Sequence, residues 1–269
     1  MRHARGIMRL IGMVVFSIVA TETMVDISAA QDFRIETKIY EGIDEGDAAE
    51  PVSRKETLFH KGLVYDFLSE PAEVRVFKNN AADGSGRFIV LDTQRKLRSE
   101  ISTQHIARFM AGVKTWAKEQ GDPLLQFAAQ PSFDETFQVD PSGKHGELVL
   151  SSKVLTYRLK TVSAKDGDRL RAYRRYADWS KQLHVFLNGR STPPFPWLVV
   201  SESIARHSVL PEEVTITIAA HRPERPQEVV MRAKHEIRWR LSQQDRERIN
   251  RVDQELVNFR LVKFDQYRR

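Results

Sequence analysis

VVMRAKHEIRWRL, residues 229–241, alternates from end to end. Val229, Met231, Ala233, His235, Ile237 and Trp239 point one way, and Val230, Arg232, Lys234, Glu236, Arg238 and Arg240 the other. A period of two, with one largely apolar side and one charged side, is the pattern of a β-strand dry on one face and wet on the other. FRIETKI at 33–39 repeats it: Phe33, Ile35, Thr37 and Ile39 oppose Arg34, Glu36 and Lys38. Working outward, further strands are expected at 55–61 and 63–69 around Gly62, and at 72–78 beyond Pro71. A hairpin is expected at 87–92 and 96–102 around Thr93-Gln94-Arg95, and more strands at 133–139, 147–151, 153–162, 197–201 and 214–219.

The period changes to a helical one in three places. Ile106, Phe109, Met110, Val113, Trp116 and Ala117 form an apolar stripe, with Ser102 or Thr103 as cap and Gly121 and Pro123 as stop. Residues 124–129 add one more turn. Tyr176, Trp179, Leu183 and Phe186 form the seam of a helix over about 168–187, closed by Asn188-Gly189. Pro193, Pro194 and Pro196 make a stiff loop. Ser242 with Asp245 resembles a capping box for a last helix, whose buried side is Ile249, Val252, Leu256 and Phe259. Crossovers long enough for regular βαβ units are missing between the early strands, so the sheet is expected to be mainly antiparallel with helices packed on it.

The segment from Gly62 to Val113 resembles the LolA/LolB-like lipoprotein-carrier superfamily of the bacterial envelope. A strand pair interrupted by proline (GLVYDFLSEPAEVRVF) leads to a second pair (RFIVLDTQRKLRSEIS) and then to a helix with an apolar face (IARFMAGVKTW). The resemblance implies an α+β fold: a curved, mainly antiparallel sheet forming an incomplete barrel, with about three helices on it. Lipid chains would lie between sheet and helices. It assigns no functional residue to this chain.

The N-terminus reads as a secretory signal. Arg2, Arg5 and Arg9 precede the uncharged run 10–20 (LIGMVVFSIVA), and Ser28-Ala29-Ala30 supplies small residues for cleavage after Ala30, with Ala20 as the alternative. The run is too short for a spanning helix, which needs about 20 residues. The expected division is a signal peptide at 1–30 and one α+β domain at 31–269, soluble in the periplasm or outside the cell. The chain has no cysteine, which excludes disulfides, thiol nucleophiles, Cys-based metal sites and lipid attachment at a cysteine. Charge is uneven: 31–150 is net acidic and 151–269 net basic. In an exported protein that asymmetry points away from nucleic acid and toward an anionic membrane surface or polymer.

No motif announces chemistry. HExxH, GxSxG and GxxxxGK[ST] are all missing. His235-Glu236 straddles the two faces of a strand and reads as a buried histidine satisfied by a neighbour. No catalytic residue, metal ligand or cofactor is expected. Asp134-Glu135 and Glu212-Glu213 are adjacent carboxylates of the kind a hydrolase would need on facing walls. Phe109, Trp116, Trp179 and Trp239 are candidates to line an apolar cavity, with core packing as the alternative. Arg232, Lys234, Arg238 and Arg240 are candidates for anion contact, with a charge-guarded exposed strand as the alternative. The leading expectation is an exported, non-enzymatic protein holding a lipid-like or other apolar ligand between sheet and helices. The alternatives are an envelope scaffold or adaptor using its basic C-terminal half, and a carboxylate-dependent hydrolase.

Overall fold

The computed structural model describes residues 32–42, 50–69, 73–80, 85–189, 191–219 and 228–268. The export signal read at 1–30 lies outside the described residues. The described residues begin with six strands: β1 (Phe33–Glu41), β2 (Ser53–His60), β3 (Leu63–Leu68), β4 (Glu73–Asn79), β5 (Gly86–Asp92) and β6 (Leu97–Ser102). Helices α1 (Thr103–Glu119) and α2 (Pro123–Ala129) lead to β7 (Asp134–Val139), β8 (His145–Ser151) and β9 (Leu155–Ser163). Then come α3 (Gly167–Leu187), α4 (Phe195–Arg206), β10 (Val209–Ile218), β11 (Val229–Arg238), α5 (Gln243–Asn258), β12 (Arg260–Leu261) and α6 (Phe264–Tyr267).

Local chemistry places the helix starts. Ser102 Oγ accepts from the His105 amide at 3.2 Å to cap α1. Asp122 caps α2, and Asp166 Oδ1 accepts from the Arg169 amide at 2.7 Å to cap α3. Residues 197–201, expected as a strand, belong instead to α4. Pro196 sits in its first turn, and Trp197, Val200 and Ile204 are buried at helical spacing. A short apolar run of this kind carries no usable period until its neighbours are counted.

All described strands join one sheet, in the order β12-β6-β5-β4-β3-β2-β1-β11-β10-β9-β8-β7. Only β12, beside β6, is parallel to its neighbour. The sheet is open: it does not close on itself and is not strongly curled, and among the described residues six helices pack around it. The expected incomplete barrel with about three helices is therefore wrong, and the resemblance to the lipoprotein carriers fails with it.

The physical reason lies in the strands. A curved wall wet on its outer side needs polar residues there. Instead β5 buries Phe88, Ile89, Val90 and Leu91 in succession, as a strand covered on both faces does. Phe33, Phe59, Phe77 and Phe88 face α1, α3 and α4, and Phe33 stacks on Phe59 with ring centroids 4.0 Å apart. On the reverse face Leu58, Tyr65, Val76, Ile89 and Leu91 lie under Ile249, Val252 and Leu256 of α5.

Two glycines mark close approaches. A Cβ on Gly86 would lie 2.9 Å from both the Lys78 carbonyl oxygen and the Phe77 ring, and Gly146 repeats this against Gln138 and Phe137. Thr103 Oγ1 also accepts from the Gly86 amide at 2.8 Å and donates to its carbonyl at 3.0 Å. Gly86→Ala is expected to cost about 1–3 kcal/mol in urea unfolding, as an overpacked site does. Gly112→Ala is the control. It sits in α1 with open space around it and should gain about 0.5–1 kcal/mol.

Candidate functional site

One polar row crosses five strands on the largely apolar inner face of the sheet. The register sets Thr37 of β1 opposite both His235 of β11 and Lys55 of β2, and sets Thr57 of β2 in line with Asp66 of β3 and Arg75 of β4. Thr37 Oγ1 and His235 Nδ1 are 2.9 Å apart, so the histidine is satisfied by a neighbour. Asp66 is 1% exposed. It accepts from Thr57 Oγ1 at 2.6 Å, and Lys55 Nζ lies 3.8 Å from it. Arg75 pairs with Glu73.

Helix α3 lies over this row and adds Tyr176, Lys181 and His184. The Lys55 ammonium sits 5.7 Å from the Tyr176 ring centroid, and the Lys181 ammonium 5.4 Å from that of Trp197 on α4. Burial, and then the Lys55 charge, bring the Lys181 ammonium down to about 8. Burial pushes His235 down to about 3, with Lys55 and Lys181 adding to the effect. Tyr176 is pushed well up by burial and by Asp66. Lys181 and His184 are exposed and His235 is partly so, so this end of the row meets solvent.

An open cleft lies toward the start of α3. It holds about 610 Å³ between that helix and the ends of β2, β3 and β4, within the range of small-molecule sites. Phe59, Leu63, Val64, Phe77, Ala172 and Trp179 supply apolar walls, and Arg171, Arg174, Arg175, Asp168 and Asp178 supply charge. Arg171 pairs with Asp168, and Arg174 Nε donates to Ser201 Oγ at 3.2 Å. Burial pushes the Asp178 carboxyl up to about 6. Arg175 is exposed and makes no ion pair among the described residues, which leaves the cleft one uncommitted cation.

The residues singled out from the sequence do not share one cavity. Trp179 lines the cleft. Phe109 meets Phe186 edge-on at 5.2 Å, and Trp116 is half exposed on α1. Trp239 lies 6.2 Å from Phe33, with the Lys165 ammonium 5.1 Å from its ring. Arg232, Lys234, Arg238 and Arg240 are on the outer face. Arg232 and Lys234 lie over the Tyr40 ring at 5.2 and 5.8 Å, Arg238 pairs with Glu236 at 2.7 Å, and Arg240 is exposed beyond the strand. Sequence reading missed Lys55, Asp66, Arg175 and Lys181. Each is an ordinary polar residue in its own segment, and only strand register and helix placement bring them together.

The carboxylate pairs diverge. Glu212 meets His145 at 3.3 Å and Glu213 meets Lys160 at 3.2 Å. Glu135 accepts from Ser203 Oγ at 2.7 Å, lies 2.8 Å from His207 Nε2, and pairs with Arg206. Burial would raise its carboxyl, but Ser203, His207 and Arg206 together hold it below the usual range. Here the acid stands between serine and histidine. A nucleophile needs the histidine in that middle place, so the group acts as a clamp from β7 to α4. Among the described residues no cluster suits a metal ion, and no helix is long and apolar enough to cross a membrane. The chain matches no family model, and no curated protein resembles it at a significant level.

Proposed function

We propose that the protein is an exported, non-enzymatic binding protein that takes a lipid-like ligand with an acidic head into the cleft between α3 and strands β2–β4. The observation that carries this reading is the cleft itself, where an apolar floor meets the uncommitted guanidinium of Arg175 at an exposed rim. An acyl chain would displace water from Leu63, Ala172 and Trp179, and the head group would pair with Arg175. The basic, apolar and small-residue order of residues 2–30 supports export. The outer-face alternative is less favoured, because Glu36, Glu213 and Glu236 interleave with its cations in the strand register.

Dodecanoate is the probe. Titration should shift the tryptophan emission of the native protein, and Trp179→Phe should remove most of that shift. Arg175→Gln should weaken binding about tenfold, as loss of one charge-assisted contact does. Native mass spectrometry of protein purified without detergent should show an added acyl mass. Absence of dodecanoate binding, or equal binding by Arg175→Gln, would overturn the reading.

A further inference from the structure

The apolar stripe of α1 is wider than the core it meets. Ile106, Met110 and Ala117 are buried, while Phe109 and Trp116 stay 38% and 49% exposed. His105, Phe109, Gly112 and Trp116 recur at i, i+4, i+7 and i+11, so they share one flank of the helix over about 16 Å. His105 is exposed as well, and a Cβ built on Gly112 would meet nothing within 4 Å. The middle of the flank is therefore open.

The flank continues onto two neighbouring helices. The Phe186 ring of α3 lies 5.2 Å from the rings of both His105 and Phe109, and 5.5 Å from that of Phe264 in α6. Arg175, Trp179, Gln182 and Phe186 repeat the same spacing on α3. The aromatic cluster and the Arg175 cleft thus lie along one side of that helix. A partly exposed aromatic cluster marks a contact surface, and tryptophan favours the boundary between water and lipid.

Charge selects what the surface meets. Arg108 adjoins Phe109, Arg175 is on the shared side of α3, and Lys263 and Arg268 bracket α6. None of these cations forms an ion pair among the described residues, and the Arg268 guanidinium lies 5.8 Å from the Phe264 ring centroid. They outnumber the acids of α1 and α6, which are Glu119 and Asp265. A second copy of the chain would bring the same cations face to face, which disfavours it. A sheet of lipid phosphates would match them.

We propose that the flank shared by α1, α3 and α6 docks the protein on an anionic bilayer, with Phe109 and Trp116 entering the head-group layer and the cations meeting lipid phosphates. Docking brings the mouth of the cleft to a lipid surface. That use rests on the cleft reading, whereas the docking does not.

The test is co-sedimentation of the full chain with phosphatidylcholine vesicles, with and without an equal part of phosphatidylglycerol. The native protein should bind the mixed vesicles, bind pure phosphatidylcholine weakly, and lose affinity as salt rises. Phe109→Ser with Trp116→Ser should weaken binding about tenfold or more. Arg108→Gln and Lys263→Gln lie on the surface and should each cost about fivefold on the mixed vesicles. All these variants should still bind dodecanoate. No binding to mixed vesicles, equal binding by the serine variant, or indifference to phosphatidylglycerol would each overturn the proposal. So would a stable dimer that the serine variant dissolves, which would give the face to a second copy. Vesicle binding without dodecanoate binding would sink the cleft reading alone, and the reverse result would sink the docking alone.

Discussion

Asp245→Ala is expected to remove about 3–5 kcal/mol of stability, as breaking a buried ion pair does. Asp245 is 1% exposed and answers two demands at once. One oxygen accepts from the Ser242 amide and hydroxyl, both at 2.8 Å, while Ser242 Oγ accepts from the Asp245 amide at 3.1 Å, so the capping box of α5 closes. The other oxygen accepts from Arg34 of β1 at 3.0 Å. Arg34 also reaches Glu56 at 3.1 Å, and Arg248 of α5 pairs with Glu56. One carboxylate thus starts the helix and ties it to the sheet. Alanine would leave Arg34 short of an acid and α5 without its cap. A loss of that size lowers the unfolding temperature by roughly 6–20 °C in a protein of this length. Asp245→Asn keeps an acceptor for the cap and should lose about half as much. Urea unfolding of both variants decides the matter: a loss under about 1 kcal/mol for alanine would mean that solvent already serves Arg34.

The capping box shows how far sequence reading reaches. Ser242 and Asp245 are three residues apart, so their meeting is local and could be read in advance. Arg34 is a long way back in the chain, and its arrival at Asp245 depends on β1 pairing with β11. The same division runs through the fold. Alternation in 33–39 and 229–241 identified both strands, and the stripes of α1, α3 and α5 were visible as helices. Face coverage was not visible. RFIVLD looks the same whether one or two of its faces are dry, so it gives no sign that α5 covers the back of the sheet, and a curved wall is what it suggests. At the candidate sites, Trp179 stood out because an aromatic on a helical stripe is conspicuous. Lys55, Lys181 and Arg175 did not, because a lysine or arginine among polar neighbours reads as solvated until a helix is laid over it.

His235 is expected to make the protein acid-sensitive well above the range where carboxylates protonate. Its folded-state value of about 3 lies far below the ordinary 6.5, because burial and the neighbouring Lys55 and Lys181 charges disfavour the imidazolium. Between those two values the unfolded chain binds a proton that the native state refuses, so stability must fall as pH falls. Asp178 opposes this. Its folded value of about 6 exceeds the ordinary 3.8, so the native state takes up a proton first and gains stability as pH drops through 6. The two slopes partly cancel in the native protein, and Asp178→Asn separates them. In that variant stability should drop by about 2–3 kcal/mol between pH 6.5 and 4.5, at 1.36 kcal/mol for each unit. Adding His235→Gln, which keeps a hydrogen-bonding group beside Thr37, should flatten the curve over the same interval. Urea midpoints across that range give the slopes, and the His235 ring signal in NMR gives the titration directly. A ring that takes its proton near pH 6, or a double variant as acid-sensitive as Asp178→Asn, would show that His235 is solvated in the native state and that burial does not keep its proton off.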